Sequence, residues 1–355
     1  MDLQNGKTMA SEPTFYLKLA RFMRISSQRQ RELNSRRMIV RIVVPQTRKG
    51  YESLTEYLEL ATTFMGCTRA ELEKGSDEAL ADGLEIELAR MIFGSNFIEG
   101  AGADFEETLA LSKEVFRGKD IIESLQEAGG DYDRLEVVQH ARALKFFLQK
   151  FCLDNLDLTE DLILQTHKIL CEGRDHDDGT AWEQWAGKYR DCEIAASSID
   201  KDTAKRIKSV FIRASSVPSY TVNLVRAFNS WASEQGHEAD PFELASWLCT
   251  QFVNIHPFAD GNGRMCRILL NGVLFKHAGL IACIGEDGSE GKDQYLEIAR
   301  MSNKKYHEED CEIRVENQTS HLALTKVVVK RVSECGERML ERLRIVGRSL
   351  VEQPH

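Results

Sequence analysis

Several patterns that would place a chain at once are missing from this one. None of the nine cysteines forms a CxxC pair, and an odd number of scattered thiols is not a disulfide framework. Reduced, buried thiols in a reducing compartment are the expectation. No apolar run approaches the length of a membrane-spanning helix. The opening residues, MDLQNGKTMASEP, carry an early acid and no apolar stretch, which argues against a secretory signal and for cytosol or nucleus. There is no HExxH and no cluster of His/Cys ligands, so a zinc hydrolase is a poor reading. There is no GxxxxGK[ST], so a P-loop enzyme fails as well. Nor is there an excess of positive charge: the net charge of −10 argues against a nucleic-acid binder. A repeat at the period of helical arrays is not evident.

What is present fits an ordinary globular protein. The chain has 355 residues, 42% hydrophobic and 29% charged, enough to bury a core without disulfides or metals. Residues 14–49 are locally basic, holding ten Lys and Arg against the single acid Glu32. A nuclear address or a patch for an acidic partner is one reading of this arm; a solvated helix face is the other, with an Arg-rich mitochondrial presequence as a third.

From Tyr51 onward the periodicity is helical. Leu54, Tyr57, Leu58 and Ala61 recur at three- and four-residue steps, and 80–97 repeats the pattern with Leu84, Leu88, Met91 and Ile92. Further helices are predicted over 104–117, 131–151, 158–170, 221–235, 240–255 and 322–351. Asp240 is a plausible N-cap with Pro241 in the tolerated first turn. One segment reads as extended, GKYRDCEIAAS at 187–197, a weak hairpin signal. The fold expected is mainly α with a small β element.

The informative stretch is IHPFADGNGRMCRILLN, 255–271. An apolar helix runs into His256, the turn formers Ala259 to Gly263 stop it, and helical spacing resumes at Arg264. A glycine loop that opens a helix offers backbone N–H groups and a positive helix end to an anion. Arg264 and Arg267, three apart, share one face of that helix. Two guanidinium groups beside such a nest describe a polyphosphate site. Asp260 is a hard oxygen ligand suited to Mg2+ or Mn2+, and His256 is a proton acceptor. Those are the parts that phosphoryl-type transfer needs.

HPFADGNGR followed by MCR resembles the Fic signature, H-x-F-x-[D/E]-G-N-G-R-x-x-R, at every constrained position. The resemblance implies a Fic/Fido helical-bundle fold with a β-hairpin flap, and transfer of AMP from ATP to a hydroxyl of a target protein. It assigns His256 as general base, Phe258 as the loop's core anchor and Asp260 as metal ligand. Gly261, Asn262 and Gly263 are assigned to the α-phosphate region, Arg264 and Arg267 to the outer phosphates. The Doc-type kinase branch carries a lysine within this loop; this chain does not. The similarity extends over about 80–305. Residues 187–197 resemble the family's flap, so Lys188, Tyr189 and Arg190 are expected to dock a target segment by strand addition. Val217-Pro218 leads into the next helix as in relatives. Tyr295 and Asn303 resemble the adenine-side pocket. Ser95-Asn96-Phe97-Ile98-Glu99-Gly100 fits the inhibitory motif [S/T]-x-x-x-E-[G/N], on a helix expected over about 82–98. This assigns Ser95, Glu99 and Gly100 to a clamp in which Glu99 pairs with Arg267. Glu99 is compatible with AMP removal too.

The division expected is an N-terminal extension over 1–79, a Fido domain over 80–310 with the signature at 256–267, and a C-terminal helix over 311–355. A homodimer is a further expectation from relatives. Rival readings are a Fic enzyme that transfers another nucleotide, phosphocholine or phosphate, and an inactive Fido scaffold that binds a partner.

Overall fold

A computed structural model describes residues 13–26, 77–122, 125, 132–176, 178–199, 206–234, 240–309, 313 and 317–351. Most of the basic arm and the helix expected from Tyr51 lie outside these. The elements are helical apart from one hairpin: α1 (15–26), α2 (Asp77–Glu99), α3 (Phe105–Phe116), α4 (Tyr132–Phe147), α5 (Glu160–Leu170), α6 (Trp182–Trp185), β1 (Ala195–Ile199), β2 (Arg206–Val210), α7 (Val217–Glu234), α8 (Pro241–Ile255), α9 (Asn262–Ala278), α10 (Ser289–Glu309) and α11 (Leu322–Val351). Among the described residues no helix is long and apolar enough to cross a membrane. The seven described cysteines are free thiols.

Local chemistry sets the helix ends. Thr159 caps α5, its side chain accepting from Leu162 N at 3.1 Å. Asp240 caps α8, its Oδ1 accepting from Phe242 N at 2.8 Å, and Pro241 wastes no donor in the first turn. Tyr132–Phe147 passes into a π-helical turn, Leu148–Leu153, which the α-period did not reveal.

The core is continuous, running from Tyr16 and Leu19 of α1 through α8 and α9 to Val328 and Leu340 of α11. α9 is buried on nearly every face, as the centre of a helical bundle must be. α1 docks on its far end, where Phe22 stacks on Phe275 with ring centroids 5.8 Å apart. α2 enters the bundle close to backbone: a Cβ on Gly94 would lie 2.5 Å from the Ile284 carbonyl oxygen. Only glycine permits that approach.

The hairpin lies further along the chain than the sequence suggested. Residues 187–194 are irregular, and the antiparallel pair joins Ala195–Ile199 to Arg206–Val210, with Ala195 opposite Val210. The Ala-Ala-Ser-Ser-Ile strand has no polar/apolar alternation to betray it.

Candidate active site around the His256 loop

The site is built where α8 stops and α9 starts. His256 ends α8 in the left-handed region, φ 52° and ψ 62°. A non-glycine residue there carries about 1–3 kcal/mol of strain, so its surroundings must hold it. They do so at three points. His256 N donates to Phe252 O at 3.0 Å, Nδ1 bonds Val253 O at 2.9 Å, and the His256 carbonyl accepts from Arg190 Nε at 2.7 Å. A carbonyl only accepts, so Nδ1 carries the proton and Nε2 keeps its lone pair. Phe211, just past β2, stacks on the imidazole with centroids 3.8 Å apart. Burial pushes the imidazole pKa down to about 4, and Arg190 adds to that.

The turn is organised from within. Asn262 Oδ1 accepts from Phe258 N at 3.0 Å and its Nδ2 donates to Phe258 O at 2.8 Å. Phe258 is fully buried, stacked on His167 at 3.6 Å. His167 accepts from Gly187 N at Nδ1 and donates from Nε2 to Asp260 O, both at 2.9 Å. Gly261, with φ +76°, turns the chain into α9 where a Cβ would press on His167 Nε2 at 3.2 Å. The Asp260 side chain stays 44% exposed. Its Oδ1 accepts from Gly261 N at 2.7 Å. Burial raises the Asp260 pKa, but Arg264, the Gly261 amide and Arg174 outweigh it, and the net shift is down.

His256 and the 259–264 turn face a cavity of about 540 Å3 that Glu99, Arg267, Tyr295 and Asn303 also line. That size suits a small-molecule ligand. Arg267 is 1% exposed, and its Nε donates to Ser95 Oγ at 2.7 Å while Nη2 donates to Ser95 O at 2.8 Å and Glu99 Oε1 at 2.6 Å. A Cβ on Gly263 would strike the same Glu99 oxygen. Glu99 therefore sits on both the guanidinium and the N-terminus of α9, the place an anion would take. α2 ends there, and Gly100 turns away at φ +72°. Arg264, 3% exposed, donates from Nη1 to Glu136 Oε1 at 3.3 Å, and its Nη2 lies 3.8 Å from Asp260 Oδ2.

Tyr295 is buried, with the Arg267 guanidinium 5.5 Å over its ring. Asn303 donates to Val210 O at 2.9 Å and Asn254 Oδ1 at 2.8 Å, tying α10 to β2 as well as lining the cavity. The three residues expected on the flap lie before the hairpin and not on it. Lys188 is exposed and its Nζ reaches Glu183 O at 2.9 Å; Tyr189 OH donates to Glu160 Oε1 at 2.9 Å; neither lies on the hairpin. Arg190 is 4% exposed and spends its donors on backbone carbonyls of Cys192, Ile212, Ile255 and His256. It braces the His256 turn, with four of its five N–H groups held by those carbonyls.

Glu136, His167 and Arg174 were missed by sequence reasoning. Each lies on or beside a helix far from the loop in sequence, and a lone Glu, His or Arg there carries no local signal.

The residues present fit a magnesium ion. One partly exposed carboxylate side chain beside an open cavity matches an ion that keeps several waters and takes its remaining ligands from phosphate.

Comparison with known proteins agrees in location. The sequence model described as the Fic/DOC family matches residues 157–274. A Fido domain-containing protein of Dictyostelium discoideum is 33% identical over 138 residues, 39% of this chain and 81% of that protein. A protein from Nematostella vectensis named protein adenylyltransferase Fic is 28% identical over 188 residues, 52% of this chain but only 37% of that longer protein. Among solved structures, a Fic domain-containing signaling protein from Bacteroides thetaiotaomicron superposes with TM-score 0.62 at 18% identity, over 80% of this chain and 97% of its own. Fic-1 from C. elegans gives 0.58 at 18% identity, over 83% and 74%. At that identity the structures speak for the helical fold alone.

Proposed function

The chain belongs to the Fic/DOC family, and from that premise we propose that it is a protein nucleotidyltransferase that moves AMP from ATP to a Ser, Thr or Tyr hydroxyl of a target protein. In this reaction the target oxygen attacks the α-phosphorus, His256 Nε2 takes the hydroxyl proton, and the α–β bridging bond breaks to release pyrophosphate. The amides of the Gly261–Gly263 turn face the α-phosphate, and Arg264 and Arg267 neutralise the outer phosphates. Asp260 would hold a magnesium ion, which would supply positive charge against the leaving pyrophosphate. Tyr295 and Asn303 form the base side of the pocket. A target segment aligns on the β1–β2 hairpin rather than on Lys188, Tyr189 or Arg190.

The observation that carries the reading is the seat of Glu99. Its carboxylate is 2.6 Å from Arg267 Nη2 and lies against Gly263, in a cavity where His256 offers a free imidazole nitrogen. An anion-binding pocket closed by the protein's own anion is an autoinhibited one. The arginine is buried while the Glu99 side chain is 37% exposed, so a charge-assisted contact occupies the guanidinium that an incoming phosphate would need. Glu99→Gly should raise self-modification at least tenfold with ATP labelled at the α-phosphate, and adding His256→Ala should remove it. CTP, GTP and UTP labelled likewise test the nucleotide. An unchanged signal in Glu99→Gly sinks the clamp; labelling that persists without His256 sinks the base.

A further inference from the structure

Arg174 and Glu136 have no part in the reaction described above, yet both line its cavity. Arg174 stands on the turn after α5. Its Nη1 lies 2.6 Å from Glu136 Oε1 and 3.3 Å from Asp260 Oδ2. Arg264 reaches the same two oxygens from within, at 3.3 Å and 3.8 Å. Two guanidinium groups thus alternate with two carboxylates. Glu136 and Arg264 are the buried members, with side chains 7% and 4% exposed; Asp260 and Arg174, at 44% and 27%, form the half that faces the cavity.

Charge counting gives this square a consequence. Arg174, Arg264 and Arg267 are matched in the cavity by Glu99, Glu136 and Asp260, while Arg300 at the rim pairs with Glu297. The resting pocket is therefore neutral. Once Glu99 leaves, three guanidinium groups face two carboxylates and a dianionic metal–triphosphate meets net positive charge. Without Arg174 it would meet none. A divalent ion on Asp260 Oδ2 would repel the guanidinium that now covers that oxygen. The short contact with Glu136 keeps Arg174 in the cavity when it lets go.

We propose that Arg174, tethered by Glu136, is a third polyphosphate-binding residue that covers Asp260 in the resting protein and exchanges it for phosphate when the metal–nucleotide arrives. This rests on the nucleotidyl-transfer reading. The exchange makes a prediction that a structural role does not: removing the guanidinium must move two affinities in opposite directions. In a Glu99→Gly/His256→Ala parent, Arg174→Met should tighten binding of Mn2+ alone at least threefold, read from the EPR signal of free Mn2+. The same change should weaken MgATP binding about tenfold by calorimetry. Arg174→Gln repeats the test if the Met variant does not fold. If both affinities move together, or either stays put, Arg174 is only a strut and the proposal is overturned. A parent with Arg174 intact that binds no MgATP overturns the nucleotidyl-transfer reading itself.

Discussion

Three hydrogen bonds converge on His256, and together they decide which ring nitrogen keeps its lone pair. The proton is fixed on Nδ1 by Val253, the backbone is held in a left-handed conformation by Phe252 and Arg190, and Nε2 is left to the cavity. Burial lowers the imidazole pKa to about 4. A base must be neutral to act, and a group with a depressed pKa is neutral at every pH above it. The acid limb of kcat/KM for the Glu99→Gly protein should therefore fall near pH 4, well below the ordinary 6.5 of an imidazole, with no loss between pH 7 and 6. A limb at 6.5 would mean that the free enzyme's imidazole is far better solvated than the structure places it.

The helix that carries Glu99 is positioned by contact with backbone. Gly94 of α2 lies so close to the 284–286 segment that a Cβ would sit 2.5 Å from Ile284 O and 2.8 Å from Glu286 N. An added methyl there must push α2 outward, at a cost of about 1–3 kcal/mol from overpacking. Glu99 is little more than one turn further along, so it moves with the helix. Gly94→Ala should lower stability in urea and raise basal self-modification above wild type. Stability lost with self-modification unchanged would show that Glu99 is held by its own end of the helix alone. The hairpin teaches a related lesson about elements. Residues 187–194 carry the imperfect alternation of a weak strand signal, yet Arg190 N donates to Pro257 O at 3.0 Å and its side chain braces α8. A backbone pinned to the His256 turn has no ladder to join.

Across the whole molecule, α11 returns to the helix that carries Glu99. Glu87 of α2 is fully buried, and Arg338 of α11 meets it with Nη2 at 2.7 Å and Nε at 3.1 Å, while Nη1 reaches Glu286 at 3.2 Å. Among the described residues Arg90 also lies near Glu87, at 3.7 Å. Arg338→Met leaves a buried carboxylate poorly matched and should cost about 3–5 kcal/mol in urea unfolding. Adding Glu87→Leu removes the stranded charge and should recover most of that loss. A single variant within about 1 kcal/mol of wild type would show that this pair contributes little to the closure of the core.

What the sequence determined by itself is the chemistry of one turn. His256, Asp260, Gly261, Asn262, Gly263, Arg264 and Arg267 are near neighbours in the chain, so glycine freedom, helix spacing and charge were enough to read them together. The helical class was legible for the same reason, because periodicity and caps such as Asp240 act over a few residues. Only the tertiary structure decided which charges meet. Glu136 lies 128 residues before the Arg264 it touches, and Ser95 lies 172 before Arg267. It alone set Arg190 against the carbonyls around His256, and it alone set Arg174 on Asp260. An ion pair between distant helices depends on how the whole core packs, and no local pattern encodes that.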